Sequence, residues 1–233
     1  DSLLCATVGI SLLLFWRKFI EENSQNCILP WFFLSLAILT KGPVAVVIVA
    51  LTIVSFLSTQ DNWKNLLIRI KPLQGILITF LISTPWYLMV FLKEGKTFLD
   101  SFFGYHNLQR YTSVVNNHSE PWWFFIYILL IGSLPFSIFL FHGIFETIKD
   151  FIKESYKGSK NENSLYLFSL CWLFSILIFF SISATKLPSY WLPATPAAAI
   201  LIAKSANILF CRKKNISIVW FFTTLILLGI SIA

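Results

Sequence analysis

Apolar runs about as long as a bilayer is thick recur along this sequence, and the charged residues fall in the short stretches between them. Hydrocarbon offers a peptide group no hydrogen-bond partner, and roughly 20 apolar residues suffice for a helix to cross it. The sequence therefore predicts an all-α, polytopic membrane protein. Only 12% of its residues are charged, against about 25% in soluble domains. The net charge of +7 lies in inter-helix loops, so it is an orientation signal and not a nucleic-acid footprint. Cys5, Cys27, Cys171 and Cys211 show no paired spacing and read as small apolar residues, with no disulfide or zinc site.

Residues 28–57 are apolar except at Lys41-Gly42-Pro43. They form either one long helix with a lysine in mid-membrane or two short helices meeting at Lys41. Gly-Pro breaks helices, and a mid-bilayer lysine costs about 2.5–3.5 kcal/mol, so the two-helix reading is preferred. The expected spans are then eight: 2–16, 28–40, 44–57, 72–92, 122–145, 164–183, 191–203 and 216–233. With that count the loops 17–27, 58–72, 146–163 and 204–215 share one side and hold 13 of the 18 Lys and Arg residues. Basic loops stay cytoplasmic. Asp1, Lys41, the loop 93–121 and the connector 184–190 then fall on the outer face. No internal repeat appears. The chain starts without Met and stops inside an apolar run, so residues 1–233 are expected to be a single transmembrane domain, incomplete at both ends.

The stretch 100–123 is the longest polar interruption and is expected to form one wall of an active site. It holds His106, His118 and Arg110. On an α-helix His106 and Arg110, four apart, would share a face, and an arginine fork suits phosphate oxygens; a solvated loop face is the bland alternative. Lys41 either snorkels to water or serves a lipid phosphate. Lys186 and Tyr190 are either interfacial anchors or part of the same site. Trp86, Tyr87, Trp122 and Trp123 read as an aromatic belt, and Asp1 as a helix cap or a site carboxylate. Together these groups describe an outward, cationic and aromatic site with a carboxylate, suited to an amphiphilic anion such as a polyprenyl phosphate.

The motifs also carry a resemblance. Asp1-Ser-Leu-Leu opens a helix; Leu39-Thr-Lys-Gly-Pro43 and Thr84-Pro-Trp-Tyr87 follow. Then come His106-Asn-Leu-Gln-Arg110-Tyr111, His118-Ser-Glu-Pro-Trp-Trp123 and Lys186-Leu-Pro-Ser-Tyr-Trp-Leu-Pro193 with Pro196. In this order the chain, to about Ala203, resembles GT-C class membrane glycosyltransferases, in the group of protein O-mannosyltransferases and lipid A aminoarabinose transferases. The resemblance implies transfer of a sugar, with inversion, from a polyprenyl-phosphate donor to a lipid, glycan or protein acceptor. The site would lie on the extracytoplasmic face of a cell inner or plasma membrane.

It makes Asp1 the catalytic candidate here, with a principal base in a loop that would precede it. It makes Lys41, Arg110, Lys186 and Tyr190 carrier-phosphate ligands. His106, Asn107, His118 and Trp122 would line the substrate. Some relatives hold a divalent metal by this loop, a possible cofactor here. Aminoarabinose transferases tend to read Glu-His before the arginine segment, where this chain reads His106-Asn107, a difference that bears on both metal and sugar. The rival reading is a transporter or flippase of a lipid-linked anion, in which the same cations line a path; such proteins often carry internal repeats.

Overall fold

The computed structural model describes residues 1–21, 27–114, 120–157 and 164–211, with Thr223 and Ile226. The expected span 216–233 lies outside them apart from those two positions.

Helix α1 (Ser2–Ile20) starts after Asp1 and ends in Arg17 and Lys18, cations at the carbonyl end of its dipole. Helices α2 (Ile28–Lys41) and α3 (Val44–Ser58) are separate, as the Gly-Pro breaker predicts. Gly42 takes a φ of 77°, open to glycine at no steric cost. Its N–H closes on the Ile38 carbonyl at 2.7 Å. Pro43 then enters α3 without a donor to satisfy. Each of these helices is about 21–23 Å long at 1.5 Å per residue, short of the ~30 Å hydrocarbon core. Lys41 therefore stands at the apex between two short helices.

The turn expected at 58–72 contains a helix of its own, α4 (Trp63–Arg69). Lys71, at φ 48°, redirects the chain into α5 (Pro72–Glu94), which opens on a proline. The long polar stretch is largely helical: α6 (Lys96–Leu99), a π-type helix over Asp100–Gln109, then α7 (Arg110–Thr112). Later come α8 (Phe124–Gly132), α9 (Ser137–Lys157) and α10 (Ser164–Ile182). A 3₁₀ helix over Pro188–Ala194 leads into α11 (Thr195–Ala206), and a π-type turn covers Asn207–Cys211.

Three sequence expectations are corrected. The single span 122–145 is two helices, α8 and α9, bent by 113°. Pro135 lies between them with no N–H to give, and the Ser137 hydroxyl satisfies the Leu130 carbonyl at 2.6 Å. The loop expected from residue 146 is helix through Lys157. Lys204 is not in a loop but buried in α11. Among the described residues four helices are long and apolar enough to cross a membrane, five if the bent pair is one span, with α2 and α3 shorter. The described residues do not test the expected count of eight, since the span 216–233 lies almost wholly outside them.

Val8, Leu12 and Phe15 of α1 and Trp172, Leu173 and Ile176 of α10 are fully buried at the centre. In lipid such packing is driven by van der Waals contact rather than by release of water. Helix α5 packs on α2 and otherwise presents Leu73, Phe80 and Leu92 outward.

Among the described residues, Arg69, Lys204 and the basic end of α1 gather at one end of the bundle. Arg69 donates to the Phe19 carbonyl at 3.2 Å, and Trp31 donates to that of Ile70 at 2.9 Å. Phe19, Phe56 and Phe168 join α1, α3 and α10. Beside them Lys204 reaches Asp150 at 2.7 Å and lies 4.8 Å over the Tyr166 ring. Asp1 and Lys41 belong to the opposite end.

Candidate functional site

Helix α1 begins where α2 ends, so Asp1 and Lys41, 40 residues apart, meet. Lys41 Nζ lies 2.5 Å from Asp1 Oδ1. The same ammonium sits 5.0 Å from the centre of the Tyr190 ring, within the range of a cation–π contact. Tyr190 is itself buried, with its ring 4.8 Å from that of Phe180. Both partners of the ion pair keep about a third of their side-chain surface exposed, 34% for Lys41 and 31% for Asp1. They stand at the mouth of a cleft of about 460 Å³ between α1 and α2, lined also by Leu4, Thr7, Leu36 and Thr40. The cleft is apolar below and charged at its rim, so it can take a molecule with a hydrocarbon part and an anionic head.

The second wall is the connector after α10. Ser183 accepts at its carbonyl from Lys186 Nζ at 2.8 Å, while its hydroxyl donates to the Thr185 carbonyl at 2.8 Å. Lys186 is buried with its ammonium turned onto this carbonyl. Bonded in this way, it has two further N–H donors. Lys186 and Tyr190 thus share one connector, and Tyr190 brings it to Lys41.

The third wall is the polar stretch after α5. Tyr87, expected to be a belt residue, does more: its hydroxyl donates to the Ile38 carbonyl at 2.8 Å. Phe98 and Phe102 stack on each other at 5.4 Å and pack against Tyr87 at 6.3 and 5.6 Å. This cluster fixes the start of the π-type helix beside the α2 apex. Sequence reasoning missed it, although the phenylalanines four apart were a signal. In the π-type segment the turn closes i to i+5, wider than the α-turn on which the His106–Arg110 spacing was judged. The side chains of His106, Asn107 and Arg110 lie outside the described residues, as does His118 altogether. Trp122 is 72% exposed, a belt-like setting, and does not line the cleft. Among the described residues no group of three His, Cys, Asp or Glu side chains is placed to hold a metal.

No protein-family model matches the chain. It is 30% identical, over 97% of its length, to an uncharacterized protein of Aquifex aeolicus. It is also 30% identical, over 85% of its length, to the undecaprenyl phosphate-α-4-amino-4-deoxy-L-arabinose arabinosyl transferase 1 of Pseudomonas fluorescens. It spans 42% and 34% of these two relatives. The crystal structure of ArnT from Cupriavidus metallidurans bound to undecaprenyl phosphate superposes on 99% of this chain, with a TM-score of 0.74 and 26% identity, over 39% of its own length. Its apo form, at 24% identity and a TM-score of 0.72, shares the fold. Motif order, fold and relatives agree: the chain is similar to the aminoarabinose transferases and shares their fold, that of a GT-C class membrane glycosyltransferase.

Proposed function

We propose that this chain forms the carrier-binding part of an enzyme that transfers a sugar from a polyprenyl-phosphate donor to an acceptor at the extracytoplasmic face. The observation that carries the reading is the convergence of Asp1, Lys41 and Tyr190, from three distant parts of the sequence, with Asp1 and Lys41 lining a largely apolar cleft. The similarity to a structure described as bound to undecaprenyl phosphate supports the same ligand class. The outer-face assignment rests on the positive-inside rule. The described basic residues Arg17, Lys18 and Arg69 lie at the opposite end of the bundle from Asp1 and Lys41.

A polyprenyl phosphate is already a leaving group, so two tasks remain. Growing negative charge on the departing phosphate must be stabilised, and the acceptor hydroxyl must be oriented and relieved of its proton. Lys41 is preset for the first at low reorganisation, since Asp1 and the Tyr190 ring hold its ammonium at the rim. Arg110 and Lys186 complete the cationic set in this reading. Asp1 supplies a carboxylate that accepts from the acceptor hydroxyl or keeps Lys41 in place. His106, Asn107 and His118 remain assigned to the substrate wall, and the exposed Trp122 is left to the aromatic belt. Residues 1–233 act as a single transmembrane domain in this scheme.

The test is thermal stability of the intact protein in nanodiscs, titrated with undecaprenyl phosphate and, in parallel, with undecaprenol. A ligand bound to the native state alone raises the melting temperature by mass action. A rise with the phosphate and none with the alcohol is expected. Equal responses to both would remove the phosphate site.

A further inference from the structure

The last turn of the polar stretch is tied to the connector after α10 by bonds that the site chemistry above leaves unused. The Ala184 N–H donates to the Tyr111 carbonyl at 2.9 Å. The Thr185 hydroxyl donates to the Ser113 carbonyl at 2.9 Å. The Tyr111 ring stacks on Phe179 of α10, with centroids 5.1 Å apart and planes 24° from parallel. Thr185 is 1% exposed, so its hydroxyl points at the loop end and not into water. The connector's own shape is held from within, by Ser183 on the Phe180 and Thr185 carbonyls.

These bonds do a definite job. The final carbonyls of a helix lack intrahelical donors. Here two of those at the end of α7 receive theirs from another element, 72 residues away in the case of Thr185. Helix α7, three residues long, is the last turn of the helical run that begins at Lys96, and helix ends fray. Its first residue is Arg110. The pinned carbonyl at Tyr111 is one residue on, and the connector that does the pinning carries Lys186 one residue after Thr185 and Tyr190 five after. Arg110's backbone is thereby set at a constant offset from Lys186 and Tyr190.

We propose that Thr185 is a positioning residue: through its bond to Ser113, with the Ala184–Tyr111 bond beside it, it holds Arg110 in register with Lys186 and Tyr190. The proposal rests on the carrier-phosphate reading only for its effect on binding; the strap itself is read separately.

Thr185→Val keeps the shape and removes the donor, and Thr185→Ser keeps the donor. In the intact protein in nanodiscs, hydrogen exchange at the Tyr111–Ser113 and Ala184 amides should quicken about fivefold in the valine variant, the effect of roughly one hydrogen bond. It should stay near wild type in the serine variant. The affinity for undecaprenyl phosphate should fall about fivefold with valine and recover with serine. In an Arg110→Ala background the valine substitution should cause no further loss, since coupled residues are not additive. Unchanged exchange with valine overturns the strap. Faster exchange with an affinity loss that adds in full to that of Arg110→Ala overturns the positioning of Arg110. Wild-type affinity in Arg110→Ala alone takes Arg110 out of the carrier site and overturns its positioning, while the undecaprenol comparison still judges the phosphate reading and the exchange data still judge the strap.

Discussion

Replacing Lys41 by methionine separates binding from stability. The side chain keeps its length and loses its charge. Among the described residues Lys41 meets the Asp1 carboxylate at 2.5 Å and the Tyr190 face at 5.0 Å. An ion pair this exposed contributes about 0.2–1 kcal/mol once solvent screening is allowed for, and a cation–π contact at an accessible site about 0.5–1 kcal/mol. Removing a partly desolvated ammonium offsets much of this, because charge at membrane depth carries a cost of its own. The expected change in stability is therefore within about 1 kcal/mol, or about 2–4 °C for a chain of this size. A charge-assisted bond to a bound phosphate is worth about 1.5–3 kcal/mol, so carrier affinity should fall roughly 10- to 100-fold. The assay is the melting temperature in nanodiscs with and without undecaprenyl phosphate, alongside sugar transfer. A methionine variant with wild-type transfer and wild-type lipid stabilisation would refute the reasoning and leave Lys41 a snorkelling anchor.

Arg110→Ala should slow transfer at least about tenfold, near 1.4 kcal/mol, and Arg110→Lys should rescue only part because the fork is lost; unchanged transfer in both would place Arg110 on a solvated face. Single cysteines at Ser113 and Asn62, both exposed, in a background free of native cysteines, should react with impermeant reagents from opposite sides of the membrane. Reaction from one side only would undo the outer-face assignment. At Gly143 an added Cβ would stand 2.1 Å from the Leu201 backbone oxygen, so Gly143→Ala should lower stability by about 1–3 kcal/mol through overpacking of α9 on α11. An unchanged melting temperature would show that these two helices can part without cost.

Several features of this protein were legible along the chain because local chemistry dictates them. Backbone groups in hydrocarbon must bond internally, so the apolar runs are helices. Gly42 with Pro43 must end one helix and start another, so Lys41 had to stand at an apex. Basic residues cluster by loop, so the sequence also sorted its connections into two sets. What it left open was which helix ends touch. Helices apolar on every side carry little directional signal, so the α8–α9 bend was missed, and the Lys204–Asp150 pair joins two segments read as loops. The meeting of Asp1 with Lys41 and of Lys41 with Tyr190, and the bond from Thr185 to Ser113, span 40 to 149 residues. Such distances are closed only by the packing of whole helices, so the tertiary structure alone brought these groups together.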